Sequence, residues 1–314
     1  MPETRRLLVT GGAGFVGATL VRRLVGNGYT VRVLDNLTTG DASHLEGVQV
    51  ELIEGDIRDA AALDAALAGV QAIVHLAAAG SVVMSVEHPA ANFDVNVLGT
   101  FQVLDAARRA RVECTVLAST GGALIGDATP PVNELSLPRP ISPYGASKLA
   151  GEGYAHAFAK SYGMRTVALR FANVYGPWSE RKQGAMTKFF RAIDAGEPIT
   201  IYGDGSASRD YTHVDDICRA LQLALESDVA GGTVLHIASG IETTVQELAN
   251  LCRVAAGVPD HPVEYRPKRP GEVERNFASY DLAREVLGYA PSIGREDGIR
   301  KTWQWFQEWV FGKH

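Results

Sequence analysis

Short apolar runs recur through the first half of the chain, with stretches of helical periodicity between them. Leu7–Thr10, Thr30–Leu34, Val48–Ile53, Ala72–Leu76, Thr115–Ala118 and Arg165–Phe171 read as strands. Between them, Ala18–Val25 puts Leu20, Val21 and Leu24 on one helical face, and Ala60–Ala68 forms a second helix. Asn92–Arg109 forms a long third helix with Val95, Leu98, Phe101, Val103 and Leu104 apolar. Most strand runs are apolar throughout, as expected of strands buried on both faces. Strands separated by helices predict a parallel, doubly wound α/β sheet. Beyond Phe171 the alternation loosens. Helices are expected over Gln183–Ala195, Val245–Ala256 and Gly298–Phe311, and strands over Ile199–Tyr202 and Val234–Ile237. Gly203–Arg209 reads as a glycine-rich turn, and Tyr211–Ile217 leads into a further helix. Residues 1–173 are read as one domain and 174–314 as mainly a smaller C-terminal α/β lobe, with later segments returning to the first.

The first strand runs into Gly11, Gly14 and Gly17, in LLVTGGAGFVG. This order of strand, tight turn and helix start suits a pyrophosphate. Gly11 turns without a Cβ clash, Gly14 admits close backbone approach, and Gly17 lets the helix pack on the strand. Helix N-terminal amides meet the negative charge. The second strand ends in Asp35, at the spacing of a βαβ unit. A carboxylate there accepts from the adenosine ribose hydroxyls and repels the extra phosphate of NADP. Like charges ~4 Å apart at an effective dielectric of ~20 cost about 4 kcal/mol. The expected cofactor is NAD, and the expected sheet is of Rossmann type. Asn36–Gly40, a polar turn, is placed to close over the adenosine, and Asp56 in GDIRD sits where an adenine amino group would be met. Ala77-Ala78-Ala79-Gly80, after the fourth strand, leaves room for a flat ring or a pyrophosphate. All of these, with Ser119 and Thr120, fall on the C-terminal edge of the strands, where such sheets bind ligands. His75 at that edge is read as a core histidine.

Composition narrows the class. The chain has 314 residues, 46% hydrophobic and 21% charged, which is ordinary for a globular protein with ample core. A net charge of −6 disfavours a general nucleic-acid binder. No apolar run is long enough to span a bilayer, and MPETRR leads into a strand rather than a signal peptide. Cys114, Cys218 and Cys252 lie far apart without metal spacing. They are read as buried thiols in a reducing cytoplasm, and no metal is expected.

The chemistry centres on SPYGASKLAGE. Pro143 starts a helix, and Tyr144 and Lys148 stand one turn apart on it. A phenol of pKa about 10 needs a shift of ~3 units, or ~4 kcal/mol, to serve as a base near neutrality. A lysine ammonium one turn away and a cationic nicotinamide ring are able to supply it. Tyr144 is therefore expected to act in acid–base catalysis.

TGGAGFVG, Asp35, GDIRD, HLAA, Asn96, STGG, YGASK, LRFANVYGP, RDYTHVDDI and RPGE occur in this order and resemble the extended short-chain dehydrogenase/reductases. These are the NAD-dependent sugar-nucleotide epimerases and dehydratases, and the likeness is strongest to the 4-epimerases of UDP-glucose and UDP-galactose. It covers nearly the whole chain. The resemblance implies that NAD stays bound and that Tyr144 takes the O4 proton as hydride leaves C4. The 4-keto sugar then turns over and receives the hydride on its other face. Lys148 lowers the tyrosine pKa and holds the nicotinamide ribose. A strand-end hydroxyl bonds O4. Counting forward along the strand gives Thr120 this place, with Ser119 second; counting back from Gly126 gives Gly121, which has no hydroxyl. Leu124-Ile125-Gly126 stands where the family usually has Val-Tyr-Gly.

By the same correspondence, the cofactor set is Gly11, Gly14, Phe15, Val16, Gly17, Asp35, Asn36, Leu37, Thr38, Thr39, Gly40, Asp56, Ile57, Leu76, Ala77, Ala78, Ala79, Asn96, Ser119, Tyr144, Lys148 and Phe171. On the substrate side, Asn173 meets the phosphates, Thr200, Ile201 and Tyr202 lie near uracil, and Arg209 and Arg269 grip the diphosphate. Glu272 meets a ribose hydroxyl. Asn276 replaces a bulky gate residue, which implies room for N-acetyl sugars. Family members commonly dimerise through the helices holding Asn96 and Tyr144, so a homodimer is expected. A 4,6-dehydratase has Asp-Glu after the threonine, and a decarboxylase a glutamate in that loop; here the loop reads Gly-Gly-Ala. A UDP-uronic acid 4-epimerase stays open. A non-catalytic NAD-binding subunit would be expected to have lost Tyr144 or Lys148.

Overall fold

The computed structural model describes residues 5–268 and 274–312. β1 (Arg6–Thr10), β2 (Thr30–Asp35), β3 (Glu51–Glu54), β4 (Ala72–His75), β5 (Cys114–Thr120) and β6 (Arg165–Phe171) come from the first part of the chain. β7 (Asn173–Tyr175), β8 (Ile199–Tyr202) and β9 (Ser208–His213) follow in the second. The chain then re-enters the central sheet with β10 (Thr233–Ile237), which pairs parallel with β6. The result is a seven-stranded sheet in the order β10-β6-β5-β4-β1-β2-β3. Every pairing in it is parallel. This is the doubly wound, Rossmann-type sheet that the apolar runs predict.

Alternate residues of β1 serve opposite faces. Leu7 and Val9 pack with Leu20, Val21 and Leu24 of α1 (Phe15–Gly26), while Leu8 packs with Leu63, Ala66 and Leu67 of α2 (Ala60–Leu67). Burial on both sides is why the strand reads as one apolar run. α3 (Val82–Glu87) begins at Ser81, whose hydroxyl accepts from the Met84 amide. The long helix begins earlier than its periodicity suggests, at Pro89. It runs as α4 (Pro89–Phe93), a wider π-helical stretch over Asp94–Leu98, and α5 (Gly99–Arg109). α6 (Gly122–Ile125) is a single turn after β5, and α7 (Pro143–Tyr162) follows the proline-rich loop.

The second part holds α8 (Ala185–Asp194), α9 (Val214–Glu226), α10 (Val245–Ala255), α11 (Asp281–Leu287) and α12 (Arg295–Phe306). α9 packs on the central sheet beside α1, through Ile217, Leu221 and Leu225. A small sheet joins β9 to β11 (Glu242–Thr244), β7 and β13 (Arg275–Asn276), and β8 pairs with β12 (Val263–Arg266). The turn expected through Arg209 ends sooner, because β9 starts at Ser208. The third strand is likewise shorter than the Val48–Ile53 run: Val48 and Val50 pack under the sheet, and pairing starts at Glu51. Trp303 and Phe306 are buried in a core cluster of the second part. The three cysteines are free and buried.

Candidate active site

A cleft opens at the C-terminal edge of β1, β2 and β4. Its walls are Gly11 and Gly14–Gly17, Asp35, Asn36, Thr38 and Thr39, Asp56–Arg58 and Leu76–Ala79, with Val95 behind, while Leu37 packs against the core. Gly11 has φ +71°, and a Cβ there would stand 2.7 Å from the Ala77 amide nitrogen. A Cβ on Gly17 would stand 2.2 Å from the Gly11 carbonyl oxygen. Both glycines are required by close backbone packing. Gly14 is the N-cap of α1 and offers no side-chain cap, so the first amides of that helix are left for a ligand.

Asp35 is buried and held by the chain itself. Oδ2 accepts from the Ala13 amide at 2.9 Å and Oδ1 from the Leu37 amide at 2.9 Å. Gly40 lies against the carboxylate: a Cβ there would stand 3.0 Å from either oxygen. Asp56 takes both ends of Arg58, at 2.8 Å each, and the Asn36 amide at 2.9 Å. Arg58 beside it holds its carboxyl well below the usual range. Uncapped helix amides, a fixed acid at the end of β2 and a wall of small residues are the features a dinucleotide needs. The residues present fit NAD.

The catalytic candidates stand beside this cleft. Ser142 caps α7 by accepting from the Gly145 amide at 3.2 Å, and Pro143 occupies the first turn. Asn96, in the π-helical stretch, ties the helix to the cleft wall. Its Oδ1 accepts from the Ala79 amide at 2.8 Å, and its Nδ2 donates to the Ser147 hydroxyl at 3.1 Å. Lys148 Nζ donates to the Ala118 carbonyl at the end of β5, 3.0 Å away, and stands 6.0 Å from the centre of the Tyr144 ring. Burial moves both groups towards neutrality: the phenol is pushed up to about 12 and the amine down to about 8. Nearby Glu152 opposes the fall of the amine. Desolvation alone accounts for the rise of Tyr144, opposite to the downward shift expected from its spacing to Lys148.

Ser119 and Thr120 differ sharply. Ser119 is buried and donates to Glu152 at 2.6 Å, while Thr120 is half-buried and its hydroxyl bonds to none of the described residues. Gly121, the third candidate, lies against His236, whose Nδ1 would stand 3.0 Å from a Cβ. Phe171 is a core residue at the end of β6 rather than a cleft wall. His75 is a core histidine between the Thr10 and Thr100 hydroxyls, at 2.7 and 3.0 Å, and burial drives its pKa down to about 3.

On the second part, Asn173 is exposed at the start of β7. Ile201 is fully buried in the core of the second part. Thr200 is engaged with Glu264 at 2.6 Å, and Tyr202 is half-exposed. Arg209 donates to the Ser208 carbonyl at 2.7 Å and pairs in register with Asn276 across β9 and β13. Asn276 packs against Gly122, bringing the expected sugar gate to the loop after β5. Arg269 and Glu272 lie outside the described residues. The sequence reading missed Arg58 in the cleft wall, and the buried Glu152–Arg170 pair behind Ser119, 2.8 Å apart. A glutamate one turn after Lys148 was the available signal for the second.

The model of the NAD dependent epimerase/dehydratase family matches residues 7–238. The chain belongs to that family. The chain is similar to UDP-glucose 4-epimerase of Mycolicibacterium smegmatis, at 39% identity over 96% of this chain and 98% of that one. Among solved structures, UDP-glucose 4-epimerase of Thermotoga maritima with UDP-glucose superposes with a TM-score of 0.92 at 36% identity, over 96% of this chain and 99% of that one. UDP-glucose 4-epimerase of Thermus thermophilus in complex with NAD gives 0.90 at 37% identity, over 97% and 100%. The family's cofactor is the one that the Asp35 cleft fits.

Proposed function

We propose that this protein interconverts the C4 epimers of a UDP-hexose, UDP-glucose and UDP-galactose first among them, with NAD held in the Asp35 cleft. The observation that carries the reading is that the helix holding Tyr144 and Lys148 is tied to the wall of that cleft through the Tyr144 carbonyl, Ser147, Asn96 and Ala79. NAD, when bound, supplies reversible oxidation at the sugar C4. The residues that hold it are the Gly11–Gly17 turn, Asp35 with Asn36–Gly40, Asp56, Leu76–Ala79 and Lys148. Tyr144 takes the O4 proton and returns it, Lys148 provides the positive charge that favours the phenolate, and Thr120 donates to O4.

The loop after β5 supports epimerisation over elimination. Gly121, Gly122 and Ala123 carry no acid to protonate a departing hydroxyl. Asn173, Arg209 and Arg269 are assigned to the substrate diphosphate, Tyr202 and the β8 backbone to the uracil side, and Glu272 to a ribose hydroxyl. We also read the protein as a cytoplasmic homodimer. Val83, Phe93, Leu98, Phe101 and Tyr154 leave apolar surface along α3–α7, the face such a dimer would use.

The test is a substrate panel of UDP-glucose, UDP-galactose, their N-acetyl forms and UDP-uronic acids. Interconversion of the first pair at a kcat/KM at or above that of the others supports the reading. Turnover of uronic acids alone would replace it with the uronic acid 4-epimerase.

A further inference from the structure

Trp178 follows the NVYGP segment with φ +67°, a left-handed backbone that bulky residues seldom adopt. Packing holds it there. Its ring lies 4.9 Å from the His44 ring, 5.2 Å from Trp305 and 6.2 Å from Trp309, and the Arg22 guanidinium sits over it at 4.9 Å. Two residues on, Glu180 reaches back to His44 Nε2 at 3.2 Å, and both side chains are largely buried. His44 Nδ1 lies 3.0 Å from the Ala13 carbonyl. Arg181 donates to the Asp41 carboxylate at 2.7 Å and to the Gly40 carbonyl at 3.3 Å.

The contacts of Trp178 and Glu180 with His44, and of Arg181 with Gly40 and Asp41, land on one loop, Asn36–Leu45, whose first residues wall the cleft beside Asp35. The loop and the acid share their anchor. Ala13 donates its amide to Asp35, while its carbonyl takes the Asp41 amide at 3.0 Å and the His44 ring. Gly40 presses on the carboxylate itself. The loop is therefore displaced from the cleft only if the second part of the chain lets go of His44 and Asp41. The Arg181 pair is solvent-exposed and contributes little. The burden falls on the buried His44–Glu180 contact and on Trp178.

We propose that Trp178, Glu180 and Arg181 form a clasp that shuts the dinucleotide cleft at its Asp35 end. Retention of NAD is then governed by a segment of the substrate-binding part whose residues are not in the lining of the cleft. Trp178 and Glu180 are positioning residues, acting through the Asn36–Leu45 loop. The segment starts at Asn173, so the same stretch of chain serves both the substrate side and the cofactor loop. The proposal rests on assigning the cleft to NAD.

The experiment measures NAD release from purified holoenzyme into an enzymatic NAD trap, for wild type, Glu180→Gln and Trp178→Ala. Epimerisation at excess NAD is measured alongside. The clasp predicts release faster by about tenfold in Glu180→Gln, equivalent to about 1.4 kcal/mol, and faster still in Trp178→Ala. At saturating NAD, kcat should stay near the wild-type value in both. Unchanged release rates in Glu180→Gln, which keeps the side chain's shape, overturn the clasp even if Trp178→Ala folds poorly. Loss of kcat at saturating NAD in step with faster release overturns it as well, since that marks general disruption. A wild-type protein that holds no NAD removes the assignment of the cleft, and the clasp with it. Wild type that holds NAD, with variants that release it no faster, removes the clasp alone.

Discussion

Ser119 turns its hydroxyl inward and donates it to Glu152, 2.6 Å away, so that this serine belongs to the buried Glu152–Arg170 pair. Along a strand, neighbouring side chains face opposite ways. Thr120 is thereby left as the hydroxyl able to meet a substrate. Thr120→Val should lower kcat about a hundredfold, the scale for losing one donor to a developing charge. Ser119→Ala should keep most of kcat and instead lose about 1–2 kcal/mol of stability, from one lost hydrogen bond to a carboxylate that Arg170 still satisfies. Steady-state kinetics and denaturant unfolding of both variants check this. A larger kcat loss in Ser119→Ala would reverse the assignment.

Tyr144 gives the pH prediction. Burial pushes its phenol up to about 12. A cation nearby favours the charged phenolate, so binding NAD should lower this value, and Lys148→Met should raise it in the NAD-bound protein. The ultraviolet tyrosinate titration of wild type minus Tyr144→Phe isolates the group. A titration of Tyr144 indifferent to both NAD and Lys148 would remove Lys148 from its electrostatic role.

Asp35 is fixed by the Ala13 and Leu37 amides before any ligand arrives. Its charge should therefore exclude the phosphate of NADP by up to about 4 kcal/mol. Asp35→Asn should narrow the NAD over NADP preference in direct binding measurements. An unchanged ratio would assign the discrimination elsewhere in the Asn36–Gly40 turn.

Much of this site could be read in the sequence because its signals are local. Gly11, Gly14, Gly17 and Asp35 are a spacing pattern within one βαβ unit, and Tyr144 and Lys148 a pattern within one helix. β6 and β8 coincide with their apolar runs. β9 was not legible past Gly203–Arg209, since SRDYTH is polar and becomes a strand through pairing with β7, β11 and β13. The burial of Ile199 and Ile201 in β8 was not legible either, because the alternation depends on which face the lobe covers. His44 and Glu180 are distant in sequence and meet only through the fold, as do Ser119 and Arg170 around Glu152.

Asn276 supplies a specificity prediction. Its side chain lies against Gly122, where a Cβ would approach its amide nitrogen to 3.1 Å. A small residue here should admit a C2 acetamide to the sugar pocket. Asn276→Tyr should lose kcat/KM on UDP-GlcNAc selectively while keeping that on UDP-glucose. Equal losses on both sugars, or no wild-type activity on UDP-GlcNAc, would contradict the assignment.

The central claim is reversible chemistry at C4 of a UDP-hexose, with Tyr144 moving the O4 proton. The most direct measurement follows UDP-galactose by proton NMR in deuterated water, using holoenzyme and the Tyr144→Phe variant. The account predicts conversion to UDP-glucose up to a fixed ratio, with the original hydrogen kept at C4 and turnover abolished in Tyr144→Phe. Uptake of solvent deuterium at C4, an elimination product, or substantial turnover by the variant would contradict it.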